Sequence, residues 1–192
     1  KLLSGNNRIK PISLMYHSIT HDKPSSKTPW SISLKQFIRQ LDLLHDYGWT
    51  SICAKQLSTP INQLPEKSVV ITFDDGFADN YSAFEELVKR DMLASWFIVT
   101  QDIGKISSWS DPDTSPANLL NKHQLITMQE AGMEIGSHSY SHCRLTTISS
   151  EQIKKELSDS RNILSDLLKN SITSFAYPYG LYNKTILLAT KS

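Results

Sequence analysis

The run Val69-Val70-Ile71-Thr72-Phe73 constrains this chain more than any other stretch. It is β-branched and aromatic, too short for a helix, and without the apolar/polar alternation of a half-exposed strand. Such a run reads as a strand buried on both faces, as in a parallel sheet covered by helices. It ends in Asp74-Asp75-Gly76. In folds built from β-then-α units, ligands bind at the carboxyl ends of the strands. Two adjacent acids there repel each other unless a cation or a shared proton offsets the charge. Taken alone, Asp-Asp-Gly is ordinary turn composition.

Other segments repeat the pattern. Ile12–Tyr16, Thr50–Cys53, Ser95–Val99, Met133–Gly136 and Ser174–Tyr177 read as strands. Helices are expected between them. Ser33 with Gln36, and Ser149 with Gln152, form capping-box patterns ahead of helical apolar stripes. Asp79 or Asn80 can cap a helix carrying Phe84, Leu87 and Val88, and Leu119–Ala131 reads as another, stopped by Gly132. A last helix is expected near Asn183. Thr20–Trp30, Pro60–Lys67 and Gln101–Pro116 read as loops. About five β/α alternations argue for an α/β fold with a parallel sheet, open or closed as a barrel.

At 192 residues the chain reads as a single domain, residues 1–192. Twenty basic against 19 acidic residues, with no long Lys/Arg cluster, argue against a nucleic-acid partner. No apolar run approaches the ~18 residues of a transmembrane helix. Lys1–Asn7 lacks the apolar core of a signal peptide, and a mature or trimmed product would look the same. Cys53 and Cys143 form no metal-type pair, and neither a disulfide nor two free thiols is favoured by spacing. Oligomeric state is not legible.

Four polar clusters fall just after strands: His17, Asp74-Asp75, His138-Ser139-Tyr140-Ser141-His142, and Tyr177–Gly180. In a parallel β/α architecture they converge on one face. His138 and His142 are four apart, and with one aspartate they would make the two-His, one-carboxylate set of a hydrolytic zinc site. The other aspartate would then stand within reach of the water proton. His17 and His21 share the same spacing, so spacing alone decides nothing. Trp109 could line a wall of the site from the long loop.

Together, Thr72-Phe73-Asp74-Asp75-Gly76, the His138–His142 block and Phe175-Ala176-Tyr177-Pro178-Tyr179-Gly180 resemble the polysaccharide deacetylases of the NodB-homology type, carbohydrate esterase family four. Tyr16-His17-Ser18 and Gly132–Ser137 fit as well, and the similarity runs from about Pro11 to Asn183. The resemblance implies a distorted, incomplete (β/α) barrel. It implies Asp74 as general base and Asp75, His138 and His142 as ligands of a divalent metal, commonly zinc, with cobalt or nickel as alternatives. It also implies a backbone N–H of Tyr179 beside the reacting carbonyl, with His17, Tyr177 and Pro178 near the substrate, where the loop reading also puts Trp109. The reaction would release acetate from an N-acetylated polysaccharide, by an exported or envelope-associated enzyme. Phe-Ala-Tyr-Pro-Tyr-Gly with Tyr-His on the first strand looks most like the branch acting on poly-N-acetylglucosamine of biofilm matrices.

Two departures stand out. Many relatives carry Arg where this chain has Ala176, so the partner that orients Asp74 is not given by the motif. The family's general acid is a His in a late Leu-x-x-x-His-type block, and no His follows His142. The acid would then come from missing residues, from His17 or from water, and since the barrel also reads as one or two strands short, a trimmed or truncated C-terminal part is expected. A non-catalytic glycan-binding relative and an O-acetyl esterase are the alternative readings.

Overall fold

The computed structural model describes residues 10–21, 30–109 and 116–191. The expected Lys1–Asn7 segment, most of the Thr20–Trp30 loop and the far half of the Gln101–Pro116 loop lie outside the described residues. In chain order the elements are β1 (Ile12–Tyr16), β2 (Ser18–Thr20), β3 (Ser31–Ser33), α1 (Leu34–Asp46), β4 (Thr50–Ile52) and β5 (Ser68–Phe73). They continue with α2 (Asn80–Val88), β6 (Ser95–Ile98), α3 (Lys122–Glu130), β7 (Glu134–Ser137), α4 (Ser150–Leu168) and α5 (Lys184–Ala189).

All pairings between these strands are parallel. The main sheet runs β1-β5-β6-β7, with β4 also on β5. β1 occupies one edge of β5 along almost its whole length, from Ile12↔Val69 to Tyr16↔Phe73. The other edge is shared: β4 pairs with the first half (Thr50↔Ser68) and β6 with the last (Thr72↔Ser95). That sharing breaks the regular order of the parallel sheet at β5.

Every residue of β5 is buried, as its unbroken apolar run demands. Val69, Ile71 and Phe73 join the large core under the helices, whereas Val70 packs with Ile52 and Leu64 on the opposite face. Phe73 stacks on Trp96 at 4.5 Å and on Tyr16 at 5.4 Å, which ties the carboxyl ends of β1, β5 and β6 together. At Gly136 of β7 an added Cβ would stand 2.7 Å from the Phe97 ring and 3.0 Å from the Ser174 carbonyl oxygen. Only glycine lets the chain after α4 approach β7 so closely.

Several boundaries differ from the sequence expectations. The third helix begins at Lys122, because Leu119 and Leu120 are held in bridges and hydrogen bonds to Phe77 and Gly76, and Asn121 then supplies a capping box. The expected Ser174–Tyr177 strand reduces to one parallel bridge, Ser137↔Phe175, before Pro178 turns the chain. Asp79 occupies the cap position of α2 without capping it, since its carboxylate accepts hydrogen bonds from the Ser18 hydroxyl (2.5 Å) and the Asn80 amide (2.8 Å). β2 and β3, which the sequence reading did not assign, form a small parallel pair on either side of the expected Thr20–Trp30 loop. The Ser33 and Ser149 capping boxes form as expected. Cys53 and Cys143 are free thiols. No helix among the described residues is long and apolar enough to cross a membrane.

Candidate active site

Because the strands are parallel, His17, Asp74 and His138, which follow β1, β5 and β7 directly, lie at one end of the sheet. The backbone turns there under strain. Asp75 (φ 72°), Ser139 (68°), His142 (61°) and Tyr179 (59°) are all left-handed L-residues, a conformation costing on the order of 1–3 kcal/mol each that clusters at functional sites. Asp75 and the left-handed Gly76 turn the chain sharply out of β5, and a Cβ at Gly76 would meet Ile98 at 3.0 Å.

These turns bring Asp75, His138 and His142 together, all buried, with one ligand atom of each within 4.8 Å of the others. Asp75 Oδ1 lies 3.2 Å from His142 Nε2 and 3.5 Å from His138 Nε2. The Nδ1–H of His138 donates to the Ala176 carbonyl at 2.9 Å, which turns its Nε2 lone pair toward Asp75. Ala176 thus serves the site through its main-chain carbonyl. Asp75 Oδ1 itself is buried with no hydrogen-bond partner. A buried carboxylate oxygen facing two imidazole nitrogens could hold a divalent cation, and two nitrogens with one oxygen are ligands that zinc accepts.

Electrostatics divides the two aspartates. Burial, then the Asp75 charge, push the Asp74 carboxyl up to about 7. Burial acts to raise Asp75 as well, but the His142 contact and the neighbouring imidazoles of His138, His142 and His17 outweigh it and leave that carboxyl below its ordinary range. Burial drives His138 down to about 4, which keeps it neutral and fit to ligate.

The remaining expected residues fall around this centre. The Trp109 ring lies 5.0 Å from that of His142 and 6.2 Å from Phe77. Asp102 holds that loop by accepting from the Ser108 N–H (2.8 Å) and hydroxyl (2.6 Å). Tyr179 places its ring 4.7 Å from His142, under the Arg144 guanidinium at 4.0 Å. His17 stands at the rim, its ring 5.5 Å from the half-exposed Trp30 and its carbonyl accepting from buried Asn80 at 2.7 Å. Tyr177 packs on Phe175 and Tyr182 and shares a hydrogen bond with Thr190, while Pro178 is buried at the start of the turn. Sequence reasoning missed Asp102 and Arg144, which lie on stretches without periodicity, and Glu156, a charge on the polar side of an amphipathic helix.

With the geometry described, comparison with known proteins is direct. The sequence profile of the polysaccharide deacetylase family matches residues 61–192. This chain belongs to that family. It is 32% identical over 182 residues to YxkH of Bacillus subtilis strain 168, which carries a polysaccharide deacetylase name, covering 93% of this chain and 60% of YxkH. It is 27% identical over 207 residues to the poly-beta-1,6-N-acetyl-D-glucosamine N-deacetylase of Staphylococcus epidermidis, covering 99% of this chain and 62% of that enzyme. The chain therefore spans about 60% of the length of these relatives. Among solved structures, the Streptococcus pyogenes deacetylase PplD in complex with acetate superposes with a TM-score of 0.81 at 29% identity, over 96% of this chain and 80% of PplD. IcaB of Ammonifex degensii shares the fold, with a TM-score of 0.80 at 24% identity over 94% of this chain and 79% of IcaB.

Proposed function

We propose that this deacetylase-family chain is a metal-dependent N-deacetylase of a polysaccharide containing N-acetylglucosamine. The observation that carries the reading is the orphaned Asp75 oxygen between two imidazoles, with the high-pKa carboxyl of Asp74 next to it in the chain. Support for the substrate class comes from the S. epidermidis relative, and for acetate as the released product from the acetate bound to PplD. A polymer of that kind is met outside the cytoplasm, so the envelope or its exterior is the proposed place of action.

Asp75, His138 and His142 would hold the cation, zinc by the donor chemistry above. When bound, the cation supplies Lewis acidity and a water more acidic than bulk. Asp74 takes the proton of the water attacking the acetyl carbon, and the C–N bond then breaks to give acetate and the sugar amine, which receives that proton from Asp74. A carboxyl poised near 7 when metal-free and lowered by a nearby cation suits that task. The Tyr179 main-chain N–H donates to the carbonyl oxygen as negative charge grows there. Trp109 and Tyr179 form apolar walls beside His142 that keep bulk water from the reacting group.

The test is acetate release from N-acetylglucosamine oligomers by the full chain loaded with Zn2+. Asp74→Asn is expected to lower kcat by about 10²–10⁴ while Zn2+ affinity is kept. Full activity in that variant would remove Asp74 from the role. Release from O-acetylated sugars alone would reassign the chain as an esterase, and glycan binding without release as a binding protein.

A further inference from the structure

The segment Ser137–His142 carries both imidazoles and two left-handed L-residues, Ser139 and His142. Its internal hydrogen bonds are few: Ser139 N–H donates to the Ser137 hydroxyl at 3.3 Å, and His142 N–H to the Ser139 hydroxyl at 3.0 Å. A strained loop of this kind keeps its shape only if its surroundings over-determine it.

Part of those surroundings is the segment after β6, whose Gln101 N–H donates to the Tyr140 carbonyl at 2.9 Å and Thr100 N–H to the Ser139 carbonyl at 3.4 Å. The side-chain part comes from one face of α4. Glu156 Oε2 accepts from the N–H of Tyr140 at 3.0 Å and of Ser141 at 2.9 Å, and Glu156 Oε1 accepts from the Ser141 hydroxyl at 2.7 Å. One turn further on, the Ser160 hydroxyl shares a 2.7 Å hydrogen bond with that of Ser137. Residues four apart lie on one side of a helix, so α4 holds the loop at Ser137, before the strained stretch, and at Tyr140-Ser141, within it. The preceding residue, Lys155, pairs with Asp159 at 2.5 Å, so the Glu156 carboxylate is spent on the loop and not on its cationic neighbour. Ile153 and Leu157, which flank Glu156, are buried with Leu145 and Ile186, so the helix that carries the clamp is itself fixed.

We propose that Glu156 is the positioning residue of the cation site: its three charge-assisted hydrogen bonds hold the loop so that both imidazoles face Asp75 before any cation arrives. The inference rests on the metal-site reading above. Removing a partner that orients ligands typically costs 10–100-fold in metal affinity.

Two readouts on Glu156→Ala and Glu156→Gln, made in the full chain, test it. The first is Zn2+ affinity, by competition with a chromophoric chelator. Glu156→Ala is expected to weaken binding about 10–100-fold, with partial rescue in Glu156→Gln, which retains one acceptor oxygen. The second is amide hydrogen exchange of the metal-free protein. Tyr140 and Ser141 are expected to exchange faster in both variants, while the amides of β5 keep their protection. Wild-type Zn2+ affinity together with unchanged exchange at 140 and 141 would overturn the proposal. So would exchange that rises equally in β5, which would mean a general loss of stability. If Glu156→Ala fails to fold, Glu156→Gln decides by the same criteria. A wild-type chain that binds no Zn2+ would sink the metal-site reading, and the exchange data would still judge the clamp.

Discussion

Two adjacent carboxylates meet different surroundings at the end of β5. The Asp75 side chain turns in toward two imidazoles, whereas Asp74 is left with burial and a negative neighbour. The sign of the consequence is fixed by linkage. Asp74 titrates near 7 when folded against an ordinary 3.8, so the folded state binds more protons in that window. Its stabilising contribution is complete below about 4 and is lost as pH rises to about 7. His138, depressed to about 4, contributes the opposite slope as pH falls below its ordinary 6.5. The metal-free Asp74→Asn variant should therefore gain on wild type as pH rises from 4 to 7, by at least about 1 kcal/mol, the worth of one pKa unit. Denaturant unfolding of both proteins across that range checks it. A constant difference between them would mean that Asp74 titrates normally.

At the scale of elements, the close approach at Gly136 makes a separate claim. Gly136→Ala places a methyl against the Phe97 ring and the Ser174 carbonyl, which join β7 to the segment after α4. Overpacking of this kind costs about 1–3 kcal/mol, several degrees of Tm in a domain of this size. An unchanged melting curve would show that the Phe97 ring yields freely. Elements with strong local signals were legible in the sequence: β1 and β5 from their apolar runs, α1 and α4 from their capping boxes. Elements set by tertiary contacts were not. Leu119 and Leu120 fit a helical stripe, yet pairing with Phe77 and Gly76 draws them out of it. Phe175 reads as strand, yet only a single bridge forms before Pro178. β2 and β3, three residues each, are too short to leave a period. In the site, Asp75, His138 and His142 were legible because each follows a strand. Glu156 was hidden, since a Glu on the polar side of an amphipathic helix looks like any solvated charge.

For the whole molecule, the architecture explains why residues far apart in sequence can act together. A parallel sheet sends every carboxyl end to one side, and the shared edge of β5 packs β4 and β6 around the strand that carries both aspartates. A cation bound only by the folded protein must stabilise it, by about 2.7 kcal/mol at a free concentration 100 times the Kd. Added Zn2+ should raise Tm and a chelator should reverse the gain. His138→Ala should abolish that response, and a zinc-dependent rise that survives in the variant would place the ion elsewhere.

The most direct measurement is anomalous diffraction at the zinc edge from crystals of the chain grown with Zn2+. The expected result is one peak among Asp75, His138 Nε2 and His142 Nε2, about 2.0–2.2 Å from each ligand atom. A peak at other residues, with these three side chains hydrogen-bonded to one another instead, would contradict the account.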